Sequence, residues 1–156
     1  MNLANSIYNF RQITSTLATG GQPDADQLSN LLDAGYEVVI NLGLANAEYS
    51  LPDERQLIES KGARYIHLPV NFQKPEISRY FEFAGLLKTL LDKKIFLHCA
   101  ANKRVSVFLA LFRILEERVP YIKAVEELKL VWEPDEVWKA FMDDVITMTE
   151  NTTEKY

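Results

Sequence analysis

The chain of 156 residues has one cysteine, six glycines and six prolines, and no apolar run long enough to cross a membrane as a helix. One cysteine excludes an internal disulfide and a zinc site built from several thiolates. The 17 basic residues are outnumbered by 22 acidic ones, and this net charge of −5 argues against a broad nucleic-acid-binding surface. The first residues, MNLANSIYNFRQ, lack the basic stretch and apolar core of a signal peptide. We therefore expect a cytoplasmic protein with neither membrane nor nucleic-acid partners.

Length and composition favour one globular domain. The sequence is 47% hydrophobic and 25% charged, which is ordinary for a soluble protein. A chain of this size buries roughly 70% of its unfolded surface and needs no disulfide or metal to fold. We predict a domain at residues 1–150 and a polar, frayed tail at residues 151–156. No cofactor is indicated, and the two histidines lie too far apart in the sequence to suggest a metal site.

Short strand patterns alternate with helical patterns along the chain. The predicted strands cover residues 10–13, 17–19, 37–42, 65–68 and 94–98. The first helix is predicted between Asp24, which forms a capping-box pattern with Gln27, and Gly35. The later helices are predicted at residues 53–61, 77–91, 105–115, 122–131 and 137–148. This alternation predicts an α/β domain with a mostly parallel sheet and helices on both faces.

The cysteine begins a short loop between a predicted strand and an apolar helix. The loop and its flanks read His98-Cys99-Ala100-Ala101-Asn102-Lys103-Arg104-Val105-Ser106. Ligands of parallel sheets bind where strands end, and the N–H groups of such a loop and helix start bind anions. A thiol there is expected to ionise readily, because helix N-termini and nearby cations favour the thiolate. The guanidinium of Arg104 has a planar fork that matches two oxygens of a phosphate.

We therefore predict an anion-transfer site at this loop, with Cys99 as its nucleophile. The predicted phosphate-binding residues are Ala100, Ala101, Asn102, Lys103, Arg104 and Val105. His98 is expected to support the strand end by hydrogen bonding rather than to act as an acid or base. A buried structural thiol at Cys99, a left-handed turn at Asn102 and a solvated rim charge at Lys103 are the simpler alternatives.

The loop and four further segments resemble the cysteine-dependent protein-tyrosine and dual-specificity phosphatases, most closely the small bacterial phosphatase-like proteins with a shortened loop. The matching segments are residues 19–23, 39–42, 67–71, 98–106 and 132–134. The resemblance implies a dual-specificity-phosphatase fold and hydrolysis of phosphate monoesters. It implies that Cys99 forms a phosphocysteine, that Arg104 holds the phosphoryl oxygens and that the Ser106 hydroxyl assists the thiolate. The implied partners are a phosphorylated protein or small molecule, and a phosphate or sulfate ion in the loop.

The loop departs from the phosphatase pattern in its length. The family has five residues between cysteine and arginine, whereas this chain has the four residues 100–103. An ungapped alignment keeps Ser106 at the hydroxyl position but puts Val105 where the arginine belongs. The four-residue gap also matches the rhodanese-like sulfurtransferases, which carry sulfur as a cysteine persulfide. The long helices after the loop and the segment around Trp132 favour the phosphatase interpretation.

The position of the family's general acid is a second departure. The aspartate that protonates the leaving group is matched here by Asn71, whose amide cannot donate a proton in that way. General acid catalysis contributes ~10²–10⁴-fold, so weak activity is expected unless Asp53, Glu54 or Glu76 substitutes. A phosphate-binding protein that has lost catalysis is a third hypothesis.

Overall fold

A computed structural model describes residues 3–154 and contains five strands and six α-helices within that range. The strands are β1 (Arg11–Thr14), β2 (Leu17–Gly20), β3 (Val38–Asn41), β4 (Arg64–His67) and β5 (Ile95–His98). The helices are α1 (Ala25–Asp33), α2 (Glu54–Ser60), α3 (Ile77–Thr89), α4 (Lys103–Leu115), α5 (Tyr121–Lys129) and α6 (Glu136–Glu154). A single 3-10 turn, Leu3–Ser6, precedes β1.

The five strands form one mixed sheet in the order β1-β2-β5-β3-β4. Only β1 is antiparallel, to β2, while β2, β5, β3 and β4 pair in parallel. The central strand β5 is buried along its whole length, as expected for a strand covered on both faces. The prediction of a single α/β domain with a mostly parallel sheet is confirmed.

Helices cover both faces of the sheet. The smaller core packs Phe96 of β5 against Leu28 and Leu31 of α1 and Ile58 of α2. The larger core lies on the opposite face, where α3, α5 and α6 surround α4. Every residue of α4 from position 104 to position 112 is buried, so the prediction of a helix that is apolar on nearly every side is confirmed.

Helix ends follow their capping residues. The Asp24 side chain accepts a hydrogen bond from the Gln27 amide at 2.8 Å, and the Gln27 side chain accepts one from the Asp24 amide at 2.9 Å. Gly35 follows α1 with a φ of 100°, in the left-handed region that glycine adopts without strain. Most element boundaries lie within two residues of those predicted. No helix among residues 3–154 is long and apolar enough to span a membrane.

The end of α6 differs from the sequence prediction. The helix continues to Glu154, so residues 151–154 of the predicted frayed tail are helical. No glycine or proline interrupts the segment, and the Thr149 hydroxyl bonds back to the Val145 carbonyl within the helix. The prediction for residues 155 and 156 lies outside the described residues.

Tyr80 buries a hydroxyl group in the larger core, and replacing it tests the energetic cost of that burial. Its side chain is 1% exposed, and its hydroxyl has no hydrogen-bond partner among the described residues. Burial, and then the charge of Glu116, raise the pKa of Tyr80 above its ordinary value. We expect Tyr80→Phe to leave the free energy of unfolding unchanged or to raise it by about 1 kcal/mol, measured by denaturant unfolding.

Tyr36→Phe is the matched control. Tyr36 is also buried, but its hydroxyl exchanges hydrogen bonds with the Gln12 side chain. This substitution should lower the free energy of unfolding by about 1 kcal/mol. A larger loss for Tyr80→Phe than for Tyr36→Phe would show that the Tyr80 hydroxyl is stabilising.

Candidate active site

The cysteine loop lies at the carboxyl end of the central strand. β5 ends at His98, Cys99 follows directly, and α4 begins at Lys103. Because β2 and β3 run parallel to β5 on its two sides, their carboxyl ends border the same loop. The structure thus places the loop at the edge of the sheet where the sequence analysis expected a ligand.

The loop carbonyls are held by the segment before α1. The Gln22 amide donates to the Ala100 carbonyl at 3.0 Å, and the Asn9 side-chain amide donates to the Ala101 carbonyl at 3.0 Å. Gly21 lies so close that a Cβ atom on it would be 2.6 Å from the Ala100 oxygen. Both carbonyls are therefore bound by this segment, and only glycine fits beside them.

Asn102 closes the loop and precedes α4. Its φ of 65° is left-handed, as the turn interpretation expects, and asparagine tolerates this conformation better than most residues. Its side-chain nitrogen donates to the Asn9 carbonyl and to the Thr19 hydroxyl, each at 2.9 Å. Since both N–H bonds of this amide are used, the side chain acts as a structural clamp.

The start of α4 presents unpaired backbone N–H groups. The first amide of this segment with a backbone acceptor is Ser106, which donates to the Asn102 carbonyl at 3.0 Å. Within the described chain, the amides of Ala100, Ala101 and residues 103–105 donate to no protein acceptor. A left-handed residue followed by helical ones is a typical backbone arrangement for binding an anion.

Cys99 is buried, which agrees with the simpler alternative of a structural thiol. Side chains on a strand alternate between faces, so Cys99 faces the same core as Ile95 and Leu97 and is 1% exposed. Cavities of 370, 270 and 160 Å³ occur among the described residues, and Cys99 lines none of these three. Cys99 is thus packed in the larger core, directly after the end of β5.

Arg104 is buried beside the loop. Its Nη1 donates to the Val70 carbonyl at 2.8 Å and its Nη2 to the Tyr49 hydroxyl at 3.3 Å. The guanidinium carbon lies 5.7 Å from the centre of the Tyr49 ring and 5.8 Å from that of Phe72. No described residue accepts from Nε, so the Nε and Nη2 edge retains two N–H groups. Val105 is fully buried in the core, whereas Arg104 keeps these two N–H groups without a protein acceptor among the described residues.

The side chains of Ser106 and Lys103 make contacts that the sequence did not predict. The Ser106 hydroxyl donates to the Lys103 carbonyl at 2.9 Å, one helical turn back, and no hydrogen bond of the described residues joins it to Cys99. It lines the 370 Å³ cavity between β1 and α5. The Lys103 ammonium lies 5.3 Å from the centre of the Trp132 ring, so it packs on an aromatic side chain instead of extending freely into solvent.

Asn71 lies beside the site, next to the Val70 carbonyl that binds Arg104. Its side-chain oxygen accepts a hydrogen bond from the Gln73 amide at 2.9 Å, which fixes the turn before α3. Among the carboxylates considered as substitute acids, Glu76 lines the 160 Å³ cavity together with Asn71, whereas Asp53 is exposed before α2.

Glu54 and His98 form a buried pair that sequence reasoning missed. The His98 Nε2 lies 2.7 Å from a Glu54 oxygen, and its Nδ1 lies 3.2 Å from the Cys99 carbonyl oxygen. The second Glu54 oxygen accepts from the Gln22 side chain at 2.7 Å. Burial alone would raise the pKa of Glu54, but the hydrogen bond and charge of His98, with the Gln22 amide, hold it below its ordinary value. The sequence offered one indication of this pair, which is the acidic Glu54 at the start of the helix that follows a buried strand.

Comparisons with known proteins found relatives by structure alone. No family model matches the chain, and no curated protein matches it. A protein of Shewanella putrefaciens CN-32 described as a candidate phosphatase (DUF442) has a TM-score of 0.82 and 26% identity, covering 94% of this chain and 97% of its own. TpbA of P. aeruginosa has a TM-score of 0.72 and 20% identity, covering 90% and 86%.

A yeast structure shows the same fold at lower identity. The core catalytic domain of the S. cerevisiae PP-IP phosphatase SIW14, in complex with citrate, has a TM-score of 0.72 and 12% identity, with 94% of each chain covered. The resemblance to the cysteine-dependent tyrosine and dual-specificity phosphatases is confirmed, and the chain has their fold.

The Glu54–His98 pair predicts an acid-sensitive stability. Because the folded-state pKa of Glu54 is below 4.5, its contribution is complete above about that pH and is lost as the pH falls through the folded value. We expect Glu54→Gln to lower the free energy of unfolding at pH 7 by about 3–5 kcal/mol, since it breaks a buried pair. Denaturant unfolding at pH 7 and below pH 4.5 measures both effects.

Glu59→Gln is the control in the same helix. Glu59 is exposed and pairs with Arg55 in solvent, so its loss should change the free energy of unfolding by less than about 0.5 kcal/mol. Equal effects of the two substitutions would mean that the Glu54–His98 pair adds nothing to stability.

Proposed function

We propose that the protein hydrolyses phosphate monoesters through a phosphocysteine on Cys99. The observation that carries this proposal is the composition of the loop. Within the short segment of residues 99–105 it combines Cys99, backbone amides without a protein acceptor, and the Nε and Nη2 edge of Arg104. The fold supports it, because the similar structures are phosphatases of the cysteine-dependent kind. A TpbA variant of that fold was crystallised with phosphotyrosine, and SIW14 with citrate, so anions bind in these proteins.

The proposed first step transfers the phosphoryl group to sulfur. Three phosphoryl oxygens accept hydrogen bonds from the loop amides and from Nε and Nη2 of Arg104. The Cys99 thiolate attacks phosphorus, the bond from phosphorus to the ester oxygen breaks, and that oxygen takes up a proton from a donor group of the site as the alcohol leaves. Fixed N–H donors stabilise the charge that develops on the phosphoryl oxygens.

The second step regenerates the enzyme. Water attacks the phosphorus of the phosphocysteine and gives a proton back to the donor group, the phosphorus–sulfur bond breaks, and inorganic phosphate leaves with the thiolate restored. The Ser106 hydroxyl assists the thiolate only after it releases the Lys103 carbonyl. Since Cys99 is 1% exposed, we infer that only the phosphoryl group reaches the sulfur. The substrate is thus a phosphorylated protein or small molecule recognised first by its phosphate.

The first test uses Cys99→Ser. We expect the wild-type protein to hydrolyse nitrophenyl phosphate and, after acid quenching during turnover, to carry one phosphoryl group on Cys99 by mass spectrometry. Cys99→Ser should abolish hydrolysis while retaining binding of inorganic phosphate, measured by calorimetry. Turnover of thiosulfate with a persulfide on Cys99 would favour sulfur transfer instead. Phosphate binding without either activity would favour a binding protein.

The second test concerns Asn71. Without an aspartate at this position, alkyl phosphates such as phosphoserine should react more slowly than nitrophenyl phosphate, whose leaving group needs little protonation. The size of this difference measures how much of the ~10²–10⁴-fold contribution of a general acid is missing from the site. Asn71→Asp should reduce the difference between the two rates by raising the rate on the alkyl phosphate. The measurement is kcat/KM for both esters.

Gln73→Glu is the control, because it adds a carboxylate two residues away in the same exposed turn. It should leave the ratio of the two rates unchanged. An identical rise for Gln73→Glu and Asn71→Asp would show that Asn71 is not at the acid position.

A further inference from the structure

Tyr49 contacts Arg104 from the loop that follows β3. The tyrosine is half-buried, and its hydroxyl oxygen lies 3.3 Å from Arg104 Nη2 and 2.8 Å from the backbone nitrogen of Leu44. Its ring lies against the guanidinium, with 5.7 Å between the ring centre and the guanidinium carbon. The pattern of the sequence gave no sign of this residue, which lies 55 positions before Arg104.

Both contacts of the Tyr49 hydroxyl are made to its oxygen. Leu44 N–H and Arg104 Nη2–H can only donate, so they occupy the two lone pairs of that oxygen. The hydroxyl hydrogen has no acceptor among the described residues. The Tyr49 hydroxyl can therefore donate its hydrogen to a ligand while its oxygen accepts a hydrogen bond from the Arg104 guanidinium.

The position of Tyr49 brings this hydrogen to the proposed phosphate. Arg104 Nη1 is bound by the Val70 carbonyl, so Nε and Nη2 form the edge left for phosphoryl oxygens. Nη2 also contacts Tyr49, which places the hydroxyl beside any anion held on that edge. Asn71 directly follows Val70, the residue whose carbonyl binds Nη1.

The carboxylates of the site are less suited to donate a proton. Both Glu54 oxygens are occupied, by His98 and by Gln22, and its lowered pKa favours the ionised form. Glu76 lines the 160 Å³ cavity with Asn71, but no hydrogen bond among the described residues joins its carboxylate to Arg104. Tyr49 is the hydroxyl that directly contacts the phosphate-binding arginine.

We propose that Tyr49 is the catalytic proton donor of the phosphatase reaction, an assignment that rests on the function proposed above. As the bond from phosphorus to the ester oxygen breaks, the Tyr49 proton moves to that oxygen and the alcohol leaves. The remaining phenolate accepts hydrogen bonds from Leu44 N–H and the Arg104 guanidinium, and a charge-assisted bond of this kind stabilises it. The attacking water of the second step then returns a proton to the phenolate. One ester and one water thus give one alcohol and one phosphate.

Tyr49→Phe tests the assignment because it keeps the ring against Arg104 and removes only the hydroxyl. We expect kcat/KM for an alkyl phosphate to fall by about 10²-fold or more, the contribution of a general acid, while that for nitrophenyl phosphate falls only a few-fold. Across a series of aryl and alkyl esters, the dependence of log kcat/KM on the leaving-group pKa should become steeper. Asn71→Asp added to Tyr49→Phe should restore the alkyl rate.

A matched control and two contrary results complete the experiment. Tyr121→Phe, at an exposed position on α5, should change neither rate. An equal fall on aryl and alkyl esters, with an unchanged leaving-group dependence, would mean that Tyr49 only positions Arg104 and would overturn its role as donor. Unchanged rates would overturn it as well. A wild-type protein that hydrolyses neither ester and forms no phosphocysteine would overturn the proposed function and, with it, this role of Tyr49.

Discussion

The direction of the peptide groups in the loop after Cys99 depends on hydrogen bonds from a distant segment. Asn9 and Gln22 bind the loop carbonyls, and Asn102 bonds back to Asn9 and Thr19. With two carbonyls held in this way, the neighbouring N–H groups are left to bind a ligand. A buried polar group without a partner costs about 1–3 kcal/mol, so these contacts also oppose any rearrangement of the loop. The proposed anion site therefore depends on residues outside the loop.

The Glu54–His98 pair holds the start of the loop from the opposite face of the sheet. His98 lies on the face of the smaller core, where it stacks on Phe96 at 5.7 Å, while Cys99 lies on the opposite face. The imidazole reaches the Cys99 carbonyl and the Glu54 carboxylate, and Gln22 bonds to both that carboxylate and the loop. Gln22 thus joins the loop to the buried pair, so α2 contributes to the site without facing it.

The sequence predicted the architecture because that architecture is encoded locally. Residues 94–98 have the compact apolar pattern of a buried strand, residues 105–115 that of a buried helix, and the capping box at Asp24 is satisfied within four residues. The alignment of the shortened loop was ambiguous between Arg104 and Val105, since spacing alone does not say where a helix begins. The start of α4 at Lys103, after the left-handed Asn102, buries Val105 in the core and leaves Arg104 beside the loop.

The contacts that the sequence did not reveal are those between distant segments. Arg104 meets Tyr49 across 55 positions and Val70 across 34, and His98 meets Glu54 across 44, so no periodic pattern relates them. The Ser106 hydroxyl was also unpredictable, because its rotamer turns to a carbonyl of its own helix.

These long-range contacts relate the two departures from the phosphatase pattern to each other. Arg104 is the second residue of α4. Its side chain is held by the carbonyl of Val70, the residue before Asn71. The turn that carries Asn71 is therefore bonded to Arg104 through the backbone and not through a side-chain carboxylate. Since that bond joins a buried cation to a carbonyl, breaking it would leave the guanidinium short of a partner in a poorly solvated site. The Val70 carbonyl before the turn at Asn71 and the Tyr49 hydroxyl thus share one guanidinium, and we expect a change in either of them to affect the other through it.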